Sequence, residues 1–455
     1  MTRSEKTALF TATINAFMVP FMMSGINIAL PSIEKEFMID AVILSWVATS
    51  YILSTAIFFI PAGRAADILG RKKLFTAGTA LFTIATLLCG ISPSITLFIL
   101  FRIFQGFGAA LIGTTSIAIL TSVFPAEQRG RVLGINVAAT YIGLSLGPFI
   151  SGMLIEYLGW RSIFIASVPL GLLSIYMSLF RLEGEWADAR GEKFDFTGSL
   201  IYGAGLVSVM YGVTNLVKPW GPVLFLSGIA ILFVFISRER RITYPVFEMS
   251  LFMNNRTFTF SNLAALINYS ATFAITFFMS LYLQHIKGLA PSSAGLVLLA
   301  QPVVQAVFSP LAGRLSDRID PGRIASAGMG INAVGLFLLI NINNSSSILF
   351  ITVCLVIMGF GFALFSSPNT NAIMSSVEKK HYGIASGSVG TMRMLGMMCS
   401  MAIATLIFSV LIGRNQISTE VFPEFLRSMR IAFSISALLC LTGIFFSLSR
   451  GRIRG

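Results

Sequence analysis

The chain has very little charge. Only 11% of its 455 residues are Asp, Glu, Lys or Arg, less than half of the ~25% usual in globular domains. A soluble fold this short of polar groups cannot cover its own surface, and a disordered chain would be less apolar. Histidine occurs twice. His285 and His381 both read as loop residues, so a hydrolase triad lacks its base. The four cysteines (Cys89, Cys354, Cys399, Cys440) sit in apolar stretches without C-x-x-C spacing. They read as buried free thiols, not as a disulfide framework or metal site. Acidic residues are few and placed at the margins. Of 19 Asp and Glu, none falls in the middle of an apolar run. No His, Cys and acidic residues cluster as metal ligands. No metal, no cofactor and no enzyme activity is expected.

Apolar residues fill the space that charge leaves. They make up 55% of the chain, with 40 Phe and 40 Gly, and the mean hydropathy is +0.83. Fourteen apolar runs, from about 8–30 to about 431–449, approach the ~20 residues needed to cross a ~30 Å hydrocarbon core. The first follows only two basic residues and lacks a small-residue cleavage site, so it reads as a retained span. The expected fold class is an all-α polytopic membrane protein.

The net charge of +13 does not point to nucleic acid, because the basic residues are scattered through short loops. With the N-terminus inside, 23 of the 32 Lys and Arg fall on the inner side and 7 on the outer. The other two, Arg102 and Arg393, lie inside apolar runs. The asymmetry predicts a cytoplasmic-membrane protein with both termini cytoplasmic.

A short pattern occurs twice. Gly63-Arg64-Ala65-Ala66-Asp67 follows the second run, and Gly313-Arg314-Leu315-Ser316-Asp317 follows the tenth. Two six-helix pseudo-symmetric bundles with two inserted central helices account for that offset. The expected units are 1–195, 196–245 for the inserted pair, and 246–455. Repeated halves in a polytopic chain point to a secondary transporter with its site near midplane.

Three stretches carry a family resemblance. Gly63 to Lys73, with Arg64, Asp67, Gly70 and Arg71, resembles the loop between spans two and three of the major facilitator superfamily. Leu100 to Ala110, including Arg102 and Gln105, is similar to its fourth-span motif. Gly143-Leu-Ser-Leu-Gly147-Pro148-Phe-Ile-Ser151-Gly152 resembles the fifth-span motif associated with exporters, with Ser151 where a glycine is usual. Trp160-Arg161, Tyr282-Leu283-Gln284 and Arg393-Met-Leu-Gly396 fit as well. Within the superfamily the chain is similar to the fourteen-span drug/proton antiporters. In them an acidic residue precedes a segment like Asn27-Ile28-Ala29-Leu30-Pro31; here Met22 takes that place. Gly143-Leu-Ser145-Leu-Gly147 also reads as G-x-S-x-G, but in an apolar helix and not at a strand-to-helix turn.

The resemblance implies multidrug-type efflux of amphipathic small molecules by alternating access, with protons as coupling ion, membrane lipid as surroundings and a monomer as the unit. It assigns Gly63, Arg64, Asp67, Gly70, Arg71, Gly313, Arg314 and Asp317 to gating. Central-cavity candidates are Asn27, Tyr51, Arg102, Gln105, Asn136, Tyr141, Asn268, Tyr269, Gln301, Gln305, Asn369 and Arg393, with Asn15 and Asn371. Each amide reads equally as a helix–helix hydrogen bond, and each buried arginine as a brace for helix carbonyls. Two basic residues in the spans and no acid there suggest an anionic or neutral metabolite, vitamin or lipid as the alternative cargo. A non-transporting membrane receptor is the other class, and it would need an output surface that these short loops do not supply.

Overall fold

With no water in the hydrocarbon core, each span must satisfy its own backbone, which helices do within themselves. The computed structural model describes residues 3–247, 249–316, 318–378, 382–413 and 415–450. Among these, fourteen helices are long and apolar enough to cross a membrane. They are α1 (Ser4–Phe37), α2 (Ala41–Leu69), α3 (Arg71–Gly90), α4 (Ile95–Val123), α5 (Arg131–Leu158), α6 (Ser162–Phe180), α7 (Phe196–Thr214) and α8 (Gly221–Glu239). They continue with α9 (Arg256–Ile286), α10 (Pro291–Ser316), α11 (Pro321–Ile340), α12 (Ile348–Ser375), α13 (Ile384–Leu411) and α14 (Thr419–Leu448). Several helices, α1 and α5 among them, run past the apolar stretches into charged residues. Helix starts are capped where the sequence offers an acceptor: Asp40 takes the amide of Ile43 at 2.8 Å, Asp195 that of Gly198, and Asn255 that of Phe258, both at 2.9 Å. The last turn of α9, Tyr282–Ile286, widens to a π-helix. His285 therefore belongs to a span and not, as its sequence setting suggests, to a loop.

Helix pairing repeats with an offset of eight. In the first part α1 packs on α5 and α6, α2 on α4, and α3 on α4 and α6. In the last part α9 packs on α13 and α14, α10 on α12, and α11 on α12 and α14. Two larger interfaces join the parts and exchange under the same offset, α2 with α13 and α5 with α10, and α1 also touches α9. Helices α7 and α8 pack mainly on each other, and α7 touches α2 and α13. Large apolar side chains such as Leu172, Phe233 and Phe337 are exposed on the perimeter, as lipid contact requires. The ends of α1 and α14 nearest the chain termini lie on one side, here the basic end; the opposite side is the distal end.

Candidate functional site

At the basic end the repeated loop is built into a charge network. The α2–α3 turn needs Gly70, whose φ is +114° and whose Cβ would sit 2.5 Å from the Glu185 carboxyl carbon. Arg71 donates to Asp67 at 2.8 and 3.1 Å, to Asp188 at 2.6 Å and to Ser122 at 2.7 Å. The Glu185 carboxylate accepts the Lys72 and Lys73 amides at the start of α3, at 2.8 and 3.1 Å. An acidic group there also meets the positive end of the helix dipole. Arg64 pairs with Glu192. The charged link Arg181 to Asp195 reads in the sequence as an interfacial loop; its part 182–195 is a strap over the Gly-Arg-x-x-Asp turn. It ends at Asp195, which pairs with Arg238 of α8. Burial opposes the Asp195 charge, yet the Arg238 and Gly198 hydrogen bonds hold its carboxyl below the usual carboxylate range. In the second copy, Gly313 faces Ser367 and Arg314 is exposed. Asp317 lies outside the described residues, as does His381.

Several of the polar residues expected at a cavity are used inside one helix group. Arg102 is 1% exposed; it donates to the Val47 carbonyl at 3.1 Å and to Gln105, and stacks 4.3 Å over the Tyr51 ring. Gln105 passes the chain on to Thr86 at 2.7 Å. These bonds tie α2, α3 and α4 together. Asn15 bridges α1 to Ser174 of α6, and Asn136 bridges α5 to the Ala12 carbonyl of α1. Asn268 accepts from Asn332 of α11, while Asn369 donates to the Ser261 carbonyl of α9 and accepts from Arg450. Asn371 donates to Ser316. Gln301 and Gln305 are half-buried on α10, with the Gln301 carbonyl against Gly359 of α12.

A smaller set meets where the two helix groups face each other. The Tyr141 hydroxyl of α5 lies 3.4 Å from Ser366 Oγ of α12, and Tyr269 of α9 lies near the same serine. Arg393 is close by on α13, half-buried, and its Nε is buried without a hydrogen-bond partner. The Tyr269 ring packs 6.0 Å from Phe362. Ser366 was not among the sequence candidates; its place beside Ser367-Pro368 in span twelve was the available signal.

The distal end is closed by contacts between the groups. Ser280 of α9 donates to the Asn27 carbonyl of α1, and Gln284 to the Ile28 carbonyl, at 2.5 and 3.1 Å. Glu34 of α1, 4% exposed, lies 2.9 Å from His285 Nε2 and accepts the Ile417 amide at 2.9 Å. Glu156 accepts the Ser292 amide at 3.3 Å. The small-residue face of α5 divides its work. Gly143 and Gly147 press on the α1 backbone at Phe17 and Phe21, whereas Gly152 presses on Pro291 of α10. Gly295 of α10 returns the contact against Pro148. Among the described residues, the side-chain hydrogen bonds between the two groups lie at this end, except Tyr141–Ser366.

Comparison with known proteins decides the family. The Major Facilitator Superfamily model matches residues 12–260 and 261–453. The chain belongs to the major facilitator superfamily. It is 30% identical to the riboflavin transporter RibZ of Clostridioides difficile over 96% of this chain and 95% of that one. The multidrug resistance protein Stp of Mycobacterium tuberculosis is 31% identical over 87% of this chain and 74% of its own. The tetracenomycin C resistance and export protein of Streptomyces glaucescens is 25% identical over 91% and 77%. In fold, the chain matches the crystal structure of a bacterial homologue of the human lysosomal transporter Spinster. The TM-score is 0.69 at 13% identity, covering 99% of this chain and 98% of that one. This superfamily member is a multi-pass membrane transporter.

Within such a transporter, Asp67→Asn tests whether the strap network gates. The Asp67 side chain is 38% exposed, and an exposed i,i+4 ion pair stabilises by only about 0.5 kcal/mol. Thermal stability should therefore stay near wild type. If the strap network gates, transport should fall by roughly threefold or more, because the charge would then bias one conformation over the other. Wild-type transport from a normally expressed variant would remove the gating role.

Proposed function

We propose that the protein is an exporter of amphipathic small molecules across the cytoplasmic membrane. It works by rocking of residues 1–195 against 246–455 about the central seam, with 196–245 outside the moving pair. The basic end faces the cytoplasm, and the distal end opens to release cargo. The observation that carries this reading is the closed distal end: hydrogen bonds and close glycine contacts join the two groups there, above a midplane cluster drawn from both. Such contacts must break and re-form if access alternates. The multidrug resistance relatives support efflux as the direction. Proton exchange is the coupling in this reading, with Asp67, Glu34 and Glu156 as the carboxylates at the span ends.

The RibZ relative favours a second reading, transport of a neutral vitamin-like molecule. Flux into inside-out vesicles separates the two. Energised accumulation of several unrelated uncharged or anionic aromatic drugs supports broad efflux; accumulation of riboflavin alone supports the second. No energised flux of any of them would sink both. Orientation is read separately by Ser4→Cys, which should resist membrane-impermeant thiol reagents in intact cells.

A further inference from the structure

A charged side chain within a span costs roughly 2.5–3.5 kcal/mol on insertion scales, and so needs a partner or a task. Arg102 has partners for that charge: a carbonyl, an amide and an aromatic face within its own helix group. Arg393 has none of these. Among the described residues no carboxylate pairs with it, and its Nε is buried and unbonded.

Its position explains what it faces. Arg393 lies roughly 14 Å along α13 at 1.5 Å per residue, near midplane. Three residues before it, Gly390 lets α13 approach Phe59 of α2, with a Cβ position 2.6 Å from the ring. Three residues after it, Gly396 lets α13 approach α9, with a Cβ position 2.7 Å from Tyr269 Cβ. Three residues turn a helix by about 300°, so Arg393 stands about 60° from each of those contacts. It projects into the angle between α2 of one group and α9 of the other. There Tyr141 and Tyr269 converge on Ser366.

We infer that Arg393, Tyr141, Tyr269 and Ser366 form the recognition point for cargo, and that it selects planar aromatic molecules with an acceptor-rich edge, anionic or neutral, over cations. This rests on the transport reading above and names its substrate class. A guanidinium offers five donors and no acceptor, binds carboxylates or paired carbonyls through parallel hydrogen bonds, and stacks on flat rings. The tyrosine and serine hydroxyls supply adaptable hydrogen bonds, and Phe59 and Phe362 supply apolar walls. A lipophilic cation entering here meets a like charge in a low dielectric with no acid to offset it.

The test uses two dyes that share a xanthene ring and differ in charge, fluorescein (anionic) and rhodamine 123 (cationic). Binding to the purified full-length protein in nanodiscs is followed by fluorescence polarisation. Fluorescein should bind at least about tenfold more tightly than rhodamine 123, the scale of one charge-assisted hydrogen bond. Arg393→Gln should lose about tenfold in fluorescein affinity and leave rhodamine 123 unchanged or tighter. Arg393→Lys should recover part of the loss, since charge returns without the planar fork. If Arg393 were only a brace, Arg393→Gln would lower the melting temperature and weaken both dyes alike, overturning the assignment. Absence of fluorescein binding, or equal wild-type affinity for both dyes, would overturn it too. Should Arg393→Gln fail to fold, Tyr141→Phe gives the same comparison, with a several-fold loss for fluorescein alone. Flux in proteoliposomes is measured separately: selective binding without flux would defeat the transport reading and leave the recognition point standing.

Discussion

Gly152→Leu is expected to cut transport by about tenfold or more while leaving both helix groups folded. At this position α5 and α10 touch backbone to backbone. A Cβ on residue 152 would press into the Pro291 carbonyl and lie 2.8 Å from Ser292 Cα, and neither is the far end of a flexible side chain. Forcing extra atoms into packed helices costs typically 1–3 kcal/mol. Here the groups can avoid that cost by separating, so it falls on the distal-closed state alone. A bias of that size empties one side of an alternating equilibrium. The readout is Asn27→Cys, 5% exposed and bonded to Ser280 through its carbonyl. Its reaction with an impermeant maleimide from the distal side should be slow in the parent and fast beside Gly152→Leu. Full transport by the leucine variant would show that tight α5–α10 closure is dispensable.

The fourteen spans were legible because low charge and run length are one-dimensional properties. The duplicated Gly-Arg-x-x-Asp turn carried only an offset of eight spans between two stretches; which helices pack together is a tertiary property that no run of sequence states. The role of each embedded polar residue was not legible either, because two arginines at equal depth look alike until their neighbours are known. Arg102 did carry a local clue, Gln105 one turn later, whereas Arg393 has Gly390 and Gly396 at the same distance. A polar neighbour at helical spacing marked the arginine that is used in packing; flanking glycines marked the one at the seam. Two features had no sequence signal of their own. The strap 182–195 gains meaning only from its bonds to Arg64, Arg71 and the α3 amides. His285 looked like a loop residue because Gln284, Lys287 and Gly288 surround it, and the π-turn that keeps it helical is a tertiary choice. Its partner Glu34 stands 251 positions away in the chain.

That pair supports the second large expectation, that Glu34→Ala opens the distal end. Glu34 joins three elements from two helix groups: α1, the π-turn of α9 through His285, and the segment before α14 through the Ile417 amide. Cutting it to alanine removes the carboxylate 2.9 Å from His285 Nε2 and leaves the buried Ile417 amide without its partner. Breaking a buried pair from one side typically costs about 3–5 kcal/mol; at a helix end that water can reach once it parts, about 2 kcal/mol is a sounder figure, a shift of roughly 30-fold in the equilibrium. The loss belongs to the closed state, because once the groups part both partners are hydrated. Asn27→Cys labelling should therefore accelerate by about that factor, with little change in melting temperature. Glu34→Gln keeps an oxygen for Ile417 and should fall between the two. Glu36 supplies the control. It lies two residues further on, yet it binds Trp160 at 2.7 Å and Arg161 at 2.6 Å, both within the first helix group. Glu36→Ala should lower stability and leave labelling at the parent rate. If Glu34→Ala and Glu36→Ala label alike, the contacts at Glu34 are ordinary packing, and distal closure rests on the glycine faces of α5 and α10 and on the Ser280, Gln284 and Glu156 bonds.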